Sequence, residues 1–214
     1  MTDKIRVIVV DDDLSFQKGM ISFINQQSDM IVIGVASNKT DAVGLAKSLE
    51  VDLILMDINL NGNESDGIVA AMEILEFNEA KIIMLTGIDD ASTIMDSFTA
   101  GVVHYILKEN YSEIPNIIRF LHRNETPYKL LIKEFSRLKK EEQLQALSYP
   151  EKEIFHLIEQ GYTQAEIAQM LYKTQNTIKT QIKSILRKLD VSNTKEAVKK
   201  IEFKGILGKS KAGK

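Results

Sequence analysis

Two hydrophobic periods divide the chain. Through residue 124, short and nearly continuous apolar runs at Ile5–Val10, Met30–Ala36, Leu53–Asp57, Ile82–Thr86 and His104–Leu107 predict strands. Between and after them, Leu14–Gln27, Asn38–Ser48, Gly67–Glu76, Ala91–Thr99 and Ser112–Asn124 carry apolar residues at helical spacing, with Ser37 and Asp90 as polar caps. The alternation is (βα)5. Strands that read as unbroken apolar runs are buried on both faces, so the expected sheet is parallel and doubly wound, with helices on each side. In such a sheet the functional crevice lies beyond the carboxyl ends of the strands.

After residue 124 the strand signal disappears. A Thr126-Pro127 pair predicts a turn, and Lys133 to Gln145 is a charged, Leu-spaced helical stretch, so 125–146 reads as a helical linker. Four helices follow, at Pro150–Gln160, Thr163–Leu171, Thr174–Leu189 and Thr194–Phe203. Their start signals are Pro150 in a first turn, Thr163 with Glu166 as a capping box, and Thr174 and Thr194 as caps; Gly161 stops the first. The expected domains are 1–124 (α/β), 147–204 (small and all-α) and a frayed basic tail, 205–214.

Composition sharpens this division. The chain has 214 residues and a net charge of −3, yet residues 1–124 hold 9 Lys and Arg against 19 Asp and Glu, and residues 125–214 hold 18 against 11. An acidic half can hold a cation; a basic half of this size is the usual footprint of nucleic-acid binding, although a solvated basic face has the same charge. No apolar run is long enough to span a bilayer, and no basic-then-apolar leader opens the chain, so a cytoplasmic protein with no membrane partner is expected. With no cysteine, and with His104, His122 and His156 isolated from one another, any metal must be held by oxygen.

Asp11, Asp12 and Asp13 follow the first strand directly, and Asp57 ends the third. In a parallel sheet these carboxylates converge at one edge, where like charges need a hard divalent cation such as Mg²⁺. Thr86 closes strand four with a hydroxyl, and Lys108 follows strand five with a positive charge. Phosphoryl transfer needs a nucleophile, a divalent cation and donors for the phosphoryl oxygens, and this set supplies all of them. The same residues leave open a Mg²⁺-dependent phosphohydrolase, which would need a further acid or base and a substrate cap that the sequence does not offer. They also leave open an interaction module that never meets phosphate.

Through Val9-Val10-Asp11-Asp12, Asp52-Leu53-Ile54-Leu55-Met56-Asp57, Leu85-Thr86 and Tyr105-Ile106-Leu107-Lys108, residues 4–123 resemble the receiver domain of bacterial response regulators. The resemblance implies a flavodoxin-like fold with Asp57 as phosphoacceptor. It implies Asp12, Asp57 and the backbone carbonyl of Asn59 as Mg²⁺ ligands, with Asp11 acting through water. Thr86 and Lys108 would hold the phosphoryl oxygens, and Tyr105 would be the switch aromatic that follows Thr86. The sequence departs from the family where a proline often follows the phosphorylated aspartate: it has Leu60-Asn61-Gly62-Asn63-Glu64-Ser65, a longer and more acidic loop.

In the basic half, Ala165, Ile167, Ala168, Leu171, Ile178, Ile182, Ile185 and Leu189 form an apolar face across a helix, a short turn and a second helix, with Lys179, Lys183, Arg187 and Lys188 between them. A positive helix after a tight turn suits the major groove. Through Leu147-Ser148-Tyr149-Pro150-Glu151, Gly161-Tyr162-Thr163, Glu166-Ile167-Ala168, Thr177-Ile178-Lys179-Thr180 and Ile185-Leu186-Arg187-Lys188-Leu189, residues 147–201 resemble the LuxR-type helix-turn-helix of the FixJ/NarL class. That resemblance implies DNA contacts from Lys179, Thr180 and Lys183, with Thr177 near the backbone. Gln181 replaces a histidine common in the family. Together the two resemblances imply a two-component response regulator: a phosphoacceptor, not a turnover enzyme on external substrates. Its partners would be a sensor histidine kinase, double-stranded promoter DNA and, once phosphorylated, a second copy of itself. Ile94, Phe98, Ile114, Ile117 and Ile118 are candidate residues for the dimer face.

Overall fold

The computed structural model describes residues 4–62, 65–87, 90–123 and 126–202 and divides into two compact units, Met1–Ser136 and Arg137–Lys214. In the first, five strands, β1 (Ile5–Val10), β2 (Met30–Ala36), β3 (Leu53–Asp57), β4 (Lys81–Thr86) and β5 (His104–Leu107), form one parallel sheet in the order β2-β1-β3-β4-β5. Their β-branched and long apolar side chains suit a pleated surface covered on both sides.

Because side chains alternate across a strand, Val7, Val9, Leu53, Leu55, Ile83, Leu85 and Ile106 share one face. They pack there with Met20 and Ile24 of α1 (Leu14–Asn25) and Ile114, Ile118 and Leu121 of α5 (Ile114–Arg123). The intervening Ile8, Ile54, Met56, Ile82 and Met84 are also fully buried. On that side lie α2 (Lys39–Ser48), α3 (Asp66–Leu75) and α4 (Ala91–Ala100). Each such buried side chain contributes about 2 kcal/mol. A 3₁₀ segment, Lys108–Glu113, leads from β5 into α5, so α5 starts two residues later than its apolar spacing predicts.

Two predicted caps move by one residue. Asn38, not Ser37, caps α2, its Oδ1 accepting from Asp41 N at 2.9 Å. Asn193, not Thr194, caps the last helix by accepting from Glu196 N at 2.9 Å, while Glu196 Oε2 accepts from Ser192 N at 2.8 Å. The predicted turn at Thr126-Pro127 is instead the first turn of α6 (Thr126–Leu144), a place where the missing proline N–H has no helical partner to lose. Ile114 and Ile118 are fully buried in the core, which removes them from the candidates for a dimer face.

The second unit is all-α. After the end of α6 come α7 (Tyr149–Glu159), α8 (Gln164–Met170), α9 (Gln175–Lys188) and α10 (Thr194–Glu202), packed on Leu147, Ile154, Phe155, Ile167, Ala168, Ile178, Ile182, Ile185, Ala197 and Ile201. Gly161, in the left-handed region at φ +86°, ends α7 as expected. Thr163 caps α8 with the predicted box: its N–H and hydroxyl both donate to Glu166 Oε2 at 2.7 Å. The predicted tail, 205–214, lies outside the described residues.

Glu151 is a hub that ties α7 to α9. It is 4% exposed, and its carboxylate accepts from Ser148 N, Ser148 Oγ, Ser184 Oγ and Lys188 Nζ at 2.6–2.8 Å. Burial alone would raise its pKa, but the bonds from Lys188, Ser148 and Ser184 outweigh it and hold the carboxyl down at about 2. A depressed folded-state pKa adds stability that is complete above the unfolded value of 4.5 and is lost as pH falls toward 2. Urea titrations between pH 6 and pH 2 are expected to show Glu151→Gln less stable than the wild type at pH 6, the gap closing by about 3 kcal/mol toward pH 2. A gap that does not change with pH would mean that the carboxylate is not held ionised by these partners.

Candidate functional site

The sheet order reverses between β1 and β3; Asp11 follows β1 directly and Asp57 ends β3. Strands run about 5 Å apart, so Asp11 and Asp57 are forced into proximity by the hydrogen-bonding register that pairs Val10 with Met56. Both are withdrawn from solvent, at 0% and 5% exposure, and Thr86, ending β4, is 1% exposed. Lys108 follows β5 and reaches back: its ammonium lies 2.7 Å from Asp11 Oδ2 and 3.1 Å from Asp57 Oδ2. All four sequence-predicted strand-end groups therefore stand at the carboxyl edge of one sheet.

The neighbouring aspartates have separate tasks. Asp12 is exposed and its Oδ2 accepts from Asn61 N at 2.9 Å, which ties the loop after β3 to the loop after β1. That loop turns through left-handed residues, Asn61 at φ +56° and Gly62 at φ +76°. Asp13 is turned away to cap α1, its Oδ1 accepting from Ser15 N at 2.8 Å and Phe16 N at 3.2 Å, and these bonds lower its pKa. Asn59 is half-buried and its side-chain Oδ1 is buried without a hydrogen-bond partner, while Tyr105 is half-buried on β5. Asn63 and Glu64 of the acidic loop lie outside the described residues.

Burial pushes the Asp57 carboxyl up to about 6, with Asp11 adding to the rise and Lys108 opposing it. Asp11 is likewise raised by burial against the pull of Lys108. Lys108 loses solvation too, but the two carboxylates raise its pKa above the ordinary value and keep it charged. One ammonium is thus set against two carboxylates, and Asp11 Oδ2, fully buried, makes no well-aligned hydrogen bond even with that ammonium beside it. One oxygen from each of Asp11, Asp12 and Asp57 lies within 4.8 Å of the others. This acidic, oxygen-only cluster with an underused buried oxygen fits a hard divalent cation such as Mg²⁺.

In the second unit Thr174 caps α9, its Oγ1 accepting from Thr177 N at 3.1 Å, and Thr177 Oγ1 lies 2.8 Å from the same hydroxyl. Ile178, Ile182 and Ile185 face the core, which turns Thr177, Lys179, Thr180 and Lys183 to solvent. Thr180 Oγ1 donates to Asn176 O at 2.9 Å. The predicted contact residues therefore share the outward side of a capped, basic helix. Lys188 instead bonds Glu151 and so ties α9 to α7.

Sequence reasoning missed two supports. Gln17 is buried and its amide donates to Asp11 O at 3.1 Å and Ala36 O at 3.0 Å, fastening α1 to the ends of β1 and β2. A polar residue on the apolar face of α1 was the available signal. Gly67 closes α3 against the loop after β3: its N–H donates to Ile58 O at 2.9 Å, and a Cβ there would lie 1.8 Å from Asp57 O.

Residues 7–119 match the family model for the response regulator receiver domain, and residues 145–201 match that for bacterial regulatory proteins of the luxR family. The chain is 38% identical over 201 residues to the transcriptional regulatory protein LiaR of Bacillus subtilis, covering 90% of this chain and 94% of the relative. It is 34% identical over 199 residues to the response regulator protein VraR of Staphylococcus epidermidis, covering 91% and 94%. The solved RcsB response regulator of Salmonella typhimurium shares the fold at a TM-score of 0.53 and 23% identity, covering 93% of this chain and 97% of that one.

The contact at Gly67 can be tested by adding one methyl group. Gly67→Ala must displace the backbone of Asp57 or α3, at about 1–3 kcal/mol, so its urea unfolding midpoint is expected to fall. An unchanged midpoint would show that the loop yields freely.

Proposed function

The chain belongs to the bacterial response regulators with a luxR-family DNA-binding domain, and we propose that a phosphoryl group accepted by Asp57 from a sensor histidine kinase controls its dimerisation and its sequence-specific binding to promoter DNA. The observation that carries this reading is the Lys108 ammonium shared between buried Asp11 and Asp57, beside buried Thr86, at the reversal point of the sheet. On this reading the receiver occupies 1–124, the linker 125–146 and the DNA-binding domain 147–204, and the protein acts in the cytoplasm. Among the described residues no helix is long and apolar enough to cross a membrane.

An Asp57 carboxylate oxygen attacks phosphorus, the bond to the kinase's histidine nitrogen breaks, and the product is an acyl phosphate. Asp12, Asp57 and the Asn59 carbonyl, with Asp11 acting through water, would hold Mg²⁺, which would supply positive charge against the carboxylates and the phosphoryl oxygens. Lys108 exchanges a carboxylate for a phosphoryl oxygen, and the Thr86 hydroxyl donates to another. Movement of Thr86 toward that oxygen frees space that Tyr105 fills, which biases a pre-existing equilibrium between receiver states. Dimerisation then doubles the number of recognition helices on the DNA. The protein is on this reading a phosphoacceptor and not a turnover enzyme.

Incubation with acetyl phosphate and Mg²⁺, followed by intact-mass measurement, is expected to add one phosphoryl group to the wild type and none to Asp57→Asn. Addition to both would displace Asp57 from its role, and addition to neither would leave an interaction module that does not meet phosphate. On the DNA side, Lys179→Ala and Lys183→Ala are each expected to weaken binding. Where the lost contact is to a phosphate, the slope of log K against log salt falls by about one; where it is to a base edge, discrimination at one base pair relaxes. Binding unchanged in both variants would remove the outward side of α9 from the interface.

A further inference from the structure

Phe16 lies in the first turn of α1, where its N–H donates to Asp13 and its half-buried ring packs on the receiver core. The Lys108 ammonium sits over that ring, 4.7 Å from its centroid. The ammonium therefore has three attractive neighbours: Asp11 Oδ2 at 2.7 Å, Asp57 Oδ2 at 3.1 Å and the negative face of an aromatic ring. An aliphatic side chain at residue 16 would cover the same core surface but would exert no such pull.

We propose that Phe16 is a positioning residue for Lys108: its ring face holds the ammonium at the carboxylate edge of the sheet, in reach of a phosphoryl oxygen on Asp57. The inference rests on the reading of Asp57 as phosphoacceptor. Leaving Asp11 or Asp57 for a phosphoryl oxygen breaks a short ionic contact, now 2.7 Å or 3.1 Å long. The ring's attraction is broad, so the ammonium can swing from carboxylate to phosphoryl oxygen while the ring still holds it. The stem of Lys108 is four methylenes long and its side chain is 24% exposed, which gives it other rotamers in solvent; the ring makes those less favourable.

The test replaces Phe16 in the full chain with mono-, di- and trifluorinated phenylalanine, which keep the ring's shape while progressively weakening its negative face. Two rates are read. The first is mass gain from acetyl phosphate with Mg²⁺, expected to fall steadily with fluorine count, to about one-fifth for the trifluoro ring. The second, with neither Mg²⁺ nor phosphodonor, is acetylation of Lys108 by trace acetic anhydride, located by peptide mass. It is expected to rise over the same series as the ammonium spends more time in solvent. Flat acetylation across the series overturns the proposal, as does a flat phosphorylation rate in protein that does take up phosphate. If the unsubstituted protein gains no mass, the phosphoacceptor reading fails separately, and the acetylation series still decides whether Phe16 holds Lys108.

Discussion

Asp11 and Asp57 stand almost out of solvent on adjacent strands, and the single ammonium of Lys108 between them is the interaction on which the receiver's edge depends. At ~4 Å two like charges repel by about 4 kcal/mol in a protein-like dielectric. The sheet gives them no freedom to separate, because β1 and β3 are hydrogen-bonded through Val10 and Met56 immediately before the two carboxylates. β5 lies two strands from β3, on the order of 10 Å away. The extended stem of Lys108 and the side chains of Asp11 and Asp57 close that span between them, and Thr86, ending the strand between, is buried there as a small polar side chain.

One cation against two carboxylates leaves the site short of positive charge, and burial, with Asp11 adding to it, raises the Asp57 carboxyl to about 6 against the pull of Lys108. Such a site responds strongly to added charge. A dication at Asp11, Asp12 and Asp57 would relieve the repulsion, and a phosphoryl group would then offer Lys108 a stronger partner than either carboxylate. The supports around the cluster have the common effect of fixing its loops. Gln17 fastens the end of β1, Asn61 N binds Asp12, and Gly67 permits α3 to close against the backbone of Asp57.

The strands were legible because a run such as Val7-Ile8-Val9-Val10 admits few alternatives, and the cluster was legible because each of its members sits at a strand end, where topology alone sets the neighbours. What the sequence hid falls into two physical kinds. Caps were misplaced by one residue at Ser37-Asn38 and Asn193-Thr194, where adjacent side chains can all accept a backbone N–H and only backbone geometry selects between them. Contacts distant along the chain were the other kind. Glu151 was not singled out, because its bonds to Ser184 and Lys188 span 33 and 37 residues. Likewise nothing in Asp66-Gly67 announces that a methyl group there would strike Asp57. The Thr126-Pro127 pair was read as a turn because proline both ends and begins helices, and the residues around it do not distinguish the two.

The two halves of the chain also make control by assembly physically economical on the proposed reading. A single α9 presents four candidate contacts, Thr177, Lys179, Thr180 and Lys183, of which only the lysines carry charge. Phosphate contacts of that number give weak binding that falls steeply with salt, and the net charge of −10 on residues 1–124 further opposes approach to a polyanion. A second copy doubles the contacts and makes the second engagement intramolecular, so affinity rises by orders of magnitude with no change in either recognition helix. The receiver therefore does not have to reshape α9 to control it. A shift of a few kcal/mol in the pairing equilibrium is enough, and that is the scale on which charge added beside Asp11, Asp57 and Lys108 acts.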